Sequence, residues 1–358
     1  MGTMYLILAN GKIFEGESFG YECETVGELV FNTGMTGYLE TLTDPSYYGQ
    51  IVTQTFPLIG NYGVIPSDVE SDSIHLKGYI VREWCQEPSN FRCEGRLDAF
   101  LRENKIPAIC GIDTRALTRI VRENGVMNAK ISMKKELSFQ EWEELRNYRV
   151  TRGVESTSTD KTYTLNEDGK GPKVVLWDFG AKRNIERELV RRGCRVTVVP
   201  YSTTADEIVK MEPDGIMLSN GAGDPADNIG IINELKKLCE KKIPTFGICL
   251  GHQLLALSQG AETVKLHYGH RGANQPVRQT DTGVVFVTSQ NHGYAVLGET
   301  LPDTARVSYV NCNDGSCEGV DYLNMPAFSV QFHPEACAGP LDSEWLFDRF
   351  MSLMGGKA

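Results

Sequence analysis

Nowhere in its 358 residues does the chain carry an apolar run approaching the ~18 residues that span a bilayer, so no membrane partner is expected. It also lacks a basic patch. Its 36 Lys and Arg stand against 47 Asp and Glu, a formal net charge of −11 spread over both halves. The densest basic run, Lys236, Lys237, Lys241 and Lys242, is interrupted by Glu240 and reads as the solvated face of a helix, so nucleic acid is not an expected partner. Ten cysteines include no CxxC pair, and Cys312 and Cys317 have no second pair to complete a zinc site. There is no GxxxxGK[ST] phosphate loop to suggest ATP binding, no low-complexity run and no internal repeat. The apolar stretch in MGTMYLILANGKIF is too short for a signal peptide, and with scattered cysteines the expected compartment is a reducing cytoplasm.

What remains is a globular composition, 41% hydrophobic and 23% charged, in a chain long enough for two cores. Residues 1–150 hold short β-rich segments such as Gly27 to Phe31 and Gln50 to Phe56, with helical periodicity near Thr114 to Asn124 and Ser138 to Tyr148. That mixture predicts an α+β, β-rich N-terminal domain. Residues 151–171, polar and rich in Ser, Thr and Gly, predict a linker. From 172 to 358 the rhythm becomes α/β: KVVLWDF, a helix over Arg183 to Arg192, RVTVVP, a helix from Thr204, DGIMLS, a glycine loop, a helix, and IPTFGI. Parallel neighbours need crossover connections, so this pattern predicts a doubly wound, mostly parallel sheet with its active site at the carboxyl ends of the strands.

The strongest chemical signal lies at one such end. Gly247-Ile248-Cys249-Leu250-Gly251 follows a buried strand and precedes the apolar helix HQLLALSQG. It has the form of a nucleophile elbow, where flanking glycines allow a backbone approach too close for Cβ atoms. The helix amino terminus favours a thiolate at Cys249. For the other nine cysteines the plain reading, a small buried hydrophobe, is kept. His333 follows the strand AFSVQF with Glu335 two residues on, which suits an imidazole base oriented by a carboxylate. The loop Ser219-Asn220-Gly221-Ala222-Gly223-Asp224-Pro225 admits two readings. Gly221, Gly223 and Ala226 fit a dinucleotide fingerprint; alternatively the loop gives an NH group to an oxyanion hole together with Leu250, which is favoured because the loop follows the third strand of its domain. His267 and His270, three residues apart, lack a further ligand at metal spacing, so no metal is expected.

Taken in order, SNGAGDP, GICLGHQ and QFHPEA resemble the class I (triad) glutamine amidotransferases over the stretch from Lys173 onward. FNTGMTGYLETLTDPSYYGQIV and FPLIGNYG resemble the amino-terminal domain of carbamoyl phosphate synthetase small subunits, as do HYGHRGANQPV and SQNHGYAV. The resemblance implies that Cys249, His333 and Glu335 form a catalytic triad, and that Ser46, Gly221, Gly223, Leu250, Gln253, Asn291, Gly293 and Tyr294 bind L-glutamine, with His292 shaping the pocket. It further implies a large synthetase subunit as partner, to which ammonia passes and where ATP, magnesium and bicarbonate chemistry resides, for arginine or pyrimidine synthesis. This chain itself is expected to need no cofactor. Ala222 stands where the family often has Pro, and Cys337 where Ser is common. Alternatives are the amidotransferase subunit of another glutamine-dependent synthase, acting on purine or chorismate substrates, and a noncatalytic regulatory subunit.

Overall fold

The computed structural model describes residues 2–355, and the chain divides between Thr151 and Arg152 into two compact units. In the first, strands β1 (Thr3–Leu8), β2 (Ile13–Ser18), β3 (Thr25–Asn32), β4 (Gln50–Gln54), β6 (Gly78–Ile80), β8 (Ala108–Cys110) and β9 (Met127–Ser132) close a barrel. Their order is β1-β2-β8-β6-β4-β3-β9, and β5 (Leu58–Ile59) pairs with β7 (Glu83–Trp84) alongside. Helices α1 (Tyr38–Thr43), α2 (Leu97–Glu103), α3 (Thr114–Asn124) and α4 (Phe139–Asn147) complete the unit. Leu29 of β3, Ile51 of β4 and Ile109 of β8 are fully buried. Their neighbours Val30, Val52 and Ala108 join Leu39, Leu42, Leu97 and Leu101 of α1 and α2 in a second cluster. Strands buried on both faces read as continuous apolar runs, which is why they are short but legible.

The second unit opens with α5 (Gly153–Thr157) and β10 (Tyr163–Leu165). Both fall in the stretch read as a linker. The polar composition misled because α5 has little more than one turn and β10 is an edge strand, paired on one side only with β12 and leaving its other side to solvent. The sheet continues through β11 (Lys173–Phe179), β12 (Arg195–Pro200), β13 (Gly215–Gly221), β14 (Thr245–Ile248), β15 (Thr263–Gln279), β16 (Val285–Val296), β17 (Ala305–Asn311), β18 (Cys317–Tyr322) and β19 (Ala327–Val330). Strand order is β10-β12-β11-β13-β14-β19-β18-β17-β15-β16. The centre, from β12 to β19, is parallel and doubly wound; from β19 through β18, β17, β15 and β16 the ladders are antiparallel.

Helices α6 (Arg183–Arg191), α7 (Ala205–Lys210), α8 (Ile229–Cys239), α9 (Leu250–Ser258) and α10 (Trp345–Leu353) cover the sheet. Alternation within the strands assigns the faces. Val175, Trp177, Ile216 and Leu218 pack with α7, α8 and α9, whereas Val174, Leu176, Met217 and Phe246 pack with α6 and α10. Phe246 stacks on Phe328 at 4.4 Å between ring centroids and meets Phe347 edge-on at 5.7 Å. Truncating it removes a shared partner from sheet and helix at once. Phe246→Ala is expected to cost about 3–5 kcal/mol, read as a lower urea midpoint for the transition of this unit.

Candidate active site

β14 runs into Cys249, and Cys249 is the residue from which α9 starts. At φ 52° and ψ −104° the backbone there is in a region costly for a residue with a side chain. The glycines on either side explain how the bend is tolerated. A Cβ on Gly251 would stand 2.4 Å from the Leu218 carbonyl oxygen, and one on Gly247 would stand 2.9 Å from that of Gly251. The bend turns the sulfur off the strand while the Cys249 amide still donates to the Val330 carbonyl of β19 at 2.9 Å. Cys249 is 3% exposed, and its sulfur lies 3.7 Å from the Asn291 carbonyl oxygen on β16.

Three residues beyond β19, His333 is anchored by its amide, which donates to the Ser289 carbonyl at 2.9 Å. Its Nδ1 donates to Glu335 Oε1 at 2.7 Å, fixing the ring. Both side chains are buried. The other ring nitrogen, Nε2, has no other partner, and the Cys249 sulfur is close enough to favour a charge on the ring. Burial and the nearby Lys182 both oppose a charge on His333, yet Glu335 and Cys249 outweigh them and raise its pKa to about 9. Burial likewise opposes a charge on Glu335, but His333 and Lys182 hold it down to about 2. The arrangement is a buried imidazolium between a carboxylate and a sulfur.

Lys182 was not foreseen. It sits in the turn between β11 and α6, nearly buried, with Nζ 3.5 Å from Glu335 Oε1 and its amide donating to Asn220 Oδ1. Its place beyond the carboxyl end of a central strand was the available signal.

The β13 loop packs onto the elbow. A Cβ on Gly221 would stand 2.3 Å from the Phe179 carbonyl oxygen and 2.6 Å from the Leu250 side chain, so Gly221 and Leu250 lie side by side. Gly223 takes φ 94°. The dinucleotide reading fails here: the loop enters a short turn at Pro225–Asp227, and α8 starts only at Ile229, so no helix amino terminus follows the glycines. Gln253, one turn into α9, donates through Nε2 to the Tyr294 carbonyl at 2.8 Å and to Gln331 Oε1 at 2.9 Å. Asn291, Gly293 and Tyr294 are consecutive with His292 on β16. Thus Cys249, Leu250, Gln253, Gly221, Asn291, His333 and Glu335 are brought together by direct or shared contacts, and Ser46 belongs to the first unit, where its amide donates to Asp44 Oδ1.

Two expectations need correction. Of the nine cysteines read as small buried hydrophobes, Cys110, Cys194 and Cys317 are buried, Cys23, Cys85, Cys93 and Cys239 are half-buried, and Cys312 and Cys337 are exposed, since these last two fall outside the strands that bury their neighbours. His270, set aside for want of a third polar partner, meets His292 and Glu318, their ligand atoms all within 4.8 Å of one another, because an antiparallel ladder aligns residues remote in sequence. His252, buried, is bonded to Ser329 Oγ at 2.8 Å, and burial lowers its pKa to about 3.

Comparison with known proteins bears on both units. Residues 6–131 match the family described as "Carbamoyl-phosphate synthase small chain, CPSase domain", and residues 175–353 match "Glutamine amidotransferase class-I". The chain is 53% identical to the carbamoyl phosphate synthase small chain of Clostridium perfringens, over 97% of this chain and 98% of that one. It is 51% identical to that of Lactococcus lactis subsp. lactis over 99% of each, and 50% identical to that of Listeria monocytogenes serotype 4b over 100% and 98%.

Two outcomes test the geometry. Replacing Glu335 removes the main group that raises His333, so in Glu335→Gln the imidazole should titrate well below about 9, followed by NMR of the ring protons. The pair's stabilisation is full below the ordinary histidine value of 6.5 and is lost as pH rises through about 9; at the acid end it is lost as pH falls from 4.5 to about 2. Gly251→Ala forces a Cβ against fixed backbone and should lower stability by about 1–3 kcal/mol in urea unfolding.

Proposed function

Since the chain belongs to the carbamoyl phosphate synthase small chains, we propose that it hydrolyses glutamine to glutamate and ammonia through Cys249, His333 and Glu335. The buried Nδ1 bond from His333 to Glu335 at 2.7 Å, on a ring that the Cys249 sulfur also acts on, is the observation that supports this reading best. The Cys249 thiolate adds to the side-chain amide carbon of glutamine, and the carbonyl oxygen takes the charge. Leu250, first residue of α9, and the Gly221 loop supply backbone NH groups to that oxygen. The His333 imidazolium gives its Nε2 proton to the amide nitrogen; the C–N bond breaks, ammonia leaves, and a thioester remains. Neutral His333 then takes a proton from water, whose oxygen adds to the thioester carbon. The C–S bond breaks, the new carboxylic acid gives up its proton to solvent as glutamate departs, and the thiolate again faces an imidazolium.

Glutamine contacts are assigned to Ser46, Gly221, Gly223, Leu250, Gln253, Asn291, Gly293 and Tyr294, whose amide and backbone groups suit a primary amide and an amino-acid head group. Lys182 is added as the group that, with His333, keeps Glu335 ionised. Ammonia is a nucleophile only when unprotonated, and at neutral pH bulk water would convert it to ammonium. The product therefore passes directly to a large synthetase subunit, which uses ATP, magnesium and bicarbonate to make carbamoyl phosphate. No helix among the described residues is long and apolar enough to cross a membrane.

Cys249→Ser should reduce glutamine hydrolysis by roughly a thousandfold or more, measured as glutamate release, while carbamoyl phosphate synthesis from added ammonia by the complex persists. Hydrolysis at the unaltered rate in that variant would remove Cys249 from the mechanism.

A further inference from the structure

Behind β16 lies a polar cluster that the mechanism above does not use. His270 of β15, Gln290 and His292 of β16, Asn311 of β17 and Glu318 of β18 are all buried, Glu318 completely. What each atom can do assigns the hydrogens. His292 Nδ1 is 2.8 Å from the Tyr294 carbonyl oxygen, which can only accept, so Nδ1 carries the hydrogen. Burial holds the pKa of His292 well below its ordinary value, so the ring is neutral and Nε2 is a bare acceptor. That Nε2 lies 3.2 Å from His270 Nδ1, with Gln290 Oε1 beside it at 3.1 Å. Glu318 Oε1 approaches the same His270 Nδ1 at 3.3 Å. Acceptors crowded this closely repel one another unless a hydrogen on His270 Nδ1 stands among them.

On its far side His270 Nε2 lies 2.8 Å from Asp314 Oδ2, so this nitrogen donates as well. Two donating nitrogens make His270 an imidazolium. Burial opposes that charge, and Glu318 and Asp314 outweigh it to raise the pKa. Glu318 is held in turn by Asn311 Nδ2 on one oxygen and Gln290 Nε2 on the other, each at 3.0 Å.

The ladder gives this cluster a purpose. Pairing between β15 and β16 is irregular here: Arg271 pairs with Asn291, His270 with His292 and Lys265 with Tyr294, so the register shifts across Gly293, in the middle of this stretch. That stretch presents the Asn291 carbonyl to Cys249 and the Tyr294 carbonyl to Gln253. We propose that His270, held by Glu318 and Asp314, is a positioning residue for glutamine hydrolysis: its Nδ1 hydrogen keeps His292 in the tautomer that clamps the Tyr294 carbonyl, fixing Asn291 to Tyr294 beside the nucleophile. This rests on the reading of Asn291, Gly293 and Tyr294 as part of the glutamine pocket.

The test uses the small chain in complex with its large subunit. His270→Leu removes the hydrogen at similar size and should raise the glutamine KM roughly tenfold or more, with kcat and ammonia-driven synthesis little changed. His270→Gln, whose amide can still donate, should recover most of the loss. Nitrogen-15 spectra of the unaltered protein should show His292 with its hydrogen on Nδ1 and His270 protonated on both nitrogens. An unchanged KM in His270→Leu, equal KM values in the Leu and Gln variants, or a His292 hydrogen on Nε2 would each overturn the proposal. So would elemental analysis finding one divalent metal per chain that His270→Leu loses, since a metal would then be the cation among these atoms. If His270→Leu does not fold, the Gln variant and the spectra decide. Continued hydrolysis by Cys249→Ser would instead defeat the reading of the active site itself.

Discussion

The site turns on one hydrogen bond made out of reach of water, from His333 Nδ1 to Glu335. Two residues of spacing let a single turn of chain present both groups, and burial makes their attraction strong where solvent would have weakened it. A buried carboxylate is tolerated only with partners, and here an imidazolium and the Lys182 ammonium supply them. With the proton on Nδ1 held in place, Nε2 is the ring nitrogen left for the proton transfers proposed above. Charge on the pair is therefore part of the resting state, and the chemistry moves a proton that is already there.

The sheet explains why the partners of this pair come from distant stretches of chain. Parallel strands β13, β14 and β19 end together and deliver the glycine loop, Cys249 and His333 to one edge. The antiparallel strands beyond β19 do different work: they bring β16 back across the same edge, where Ser289 receives the His333 amide and Asn291 faces the sulfur. The proposed triad sits on the parallel part, and most of the residues proposed to line the glutamine pocket sit on the antiparallel part or facing it.

Much of this was legible in the residues. Gly247 and Gly251 announced the bend at Cys249 because only glycine fits so close to the Leu218 carbonyl, and the alternation of strand and helix announced the doubly wound centre. Helix α3 fell on its expected bounds because its apolar period is clean and Asp113 caps it. What stayed hidden depended on register. Nothing local to His270 says that Glu318 will lie beside it, since that contact is set by how two strands pair across an intervening third. Lys182 was hidden for a related reason, as its partner Glu335 is remote in sequence. The strand β10 escaped because an edge position asks for little apolar surface.

The bond from the Cys249 amide to the Val330 carbonyl has a mechanical consequence. It ties Cys249 to the strand whose continuation carries His333 three residues later, so the two side chains of the proposed reaction rise from neighbouring strand ends bridged by one hydrogen bond. Leu250, whose amide is proposed to serve the oxyanion, follows Cys249 directly, and Gly221 packs against Leu250, so the proposed donors are fixed to the same bend as the sulfur.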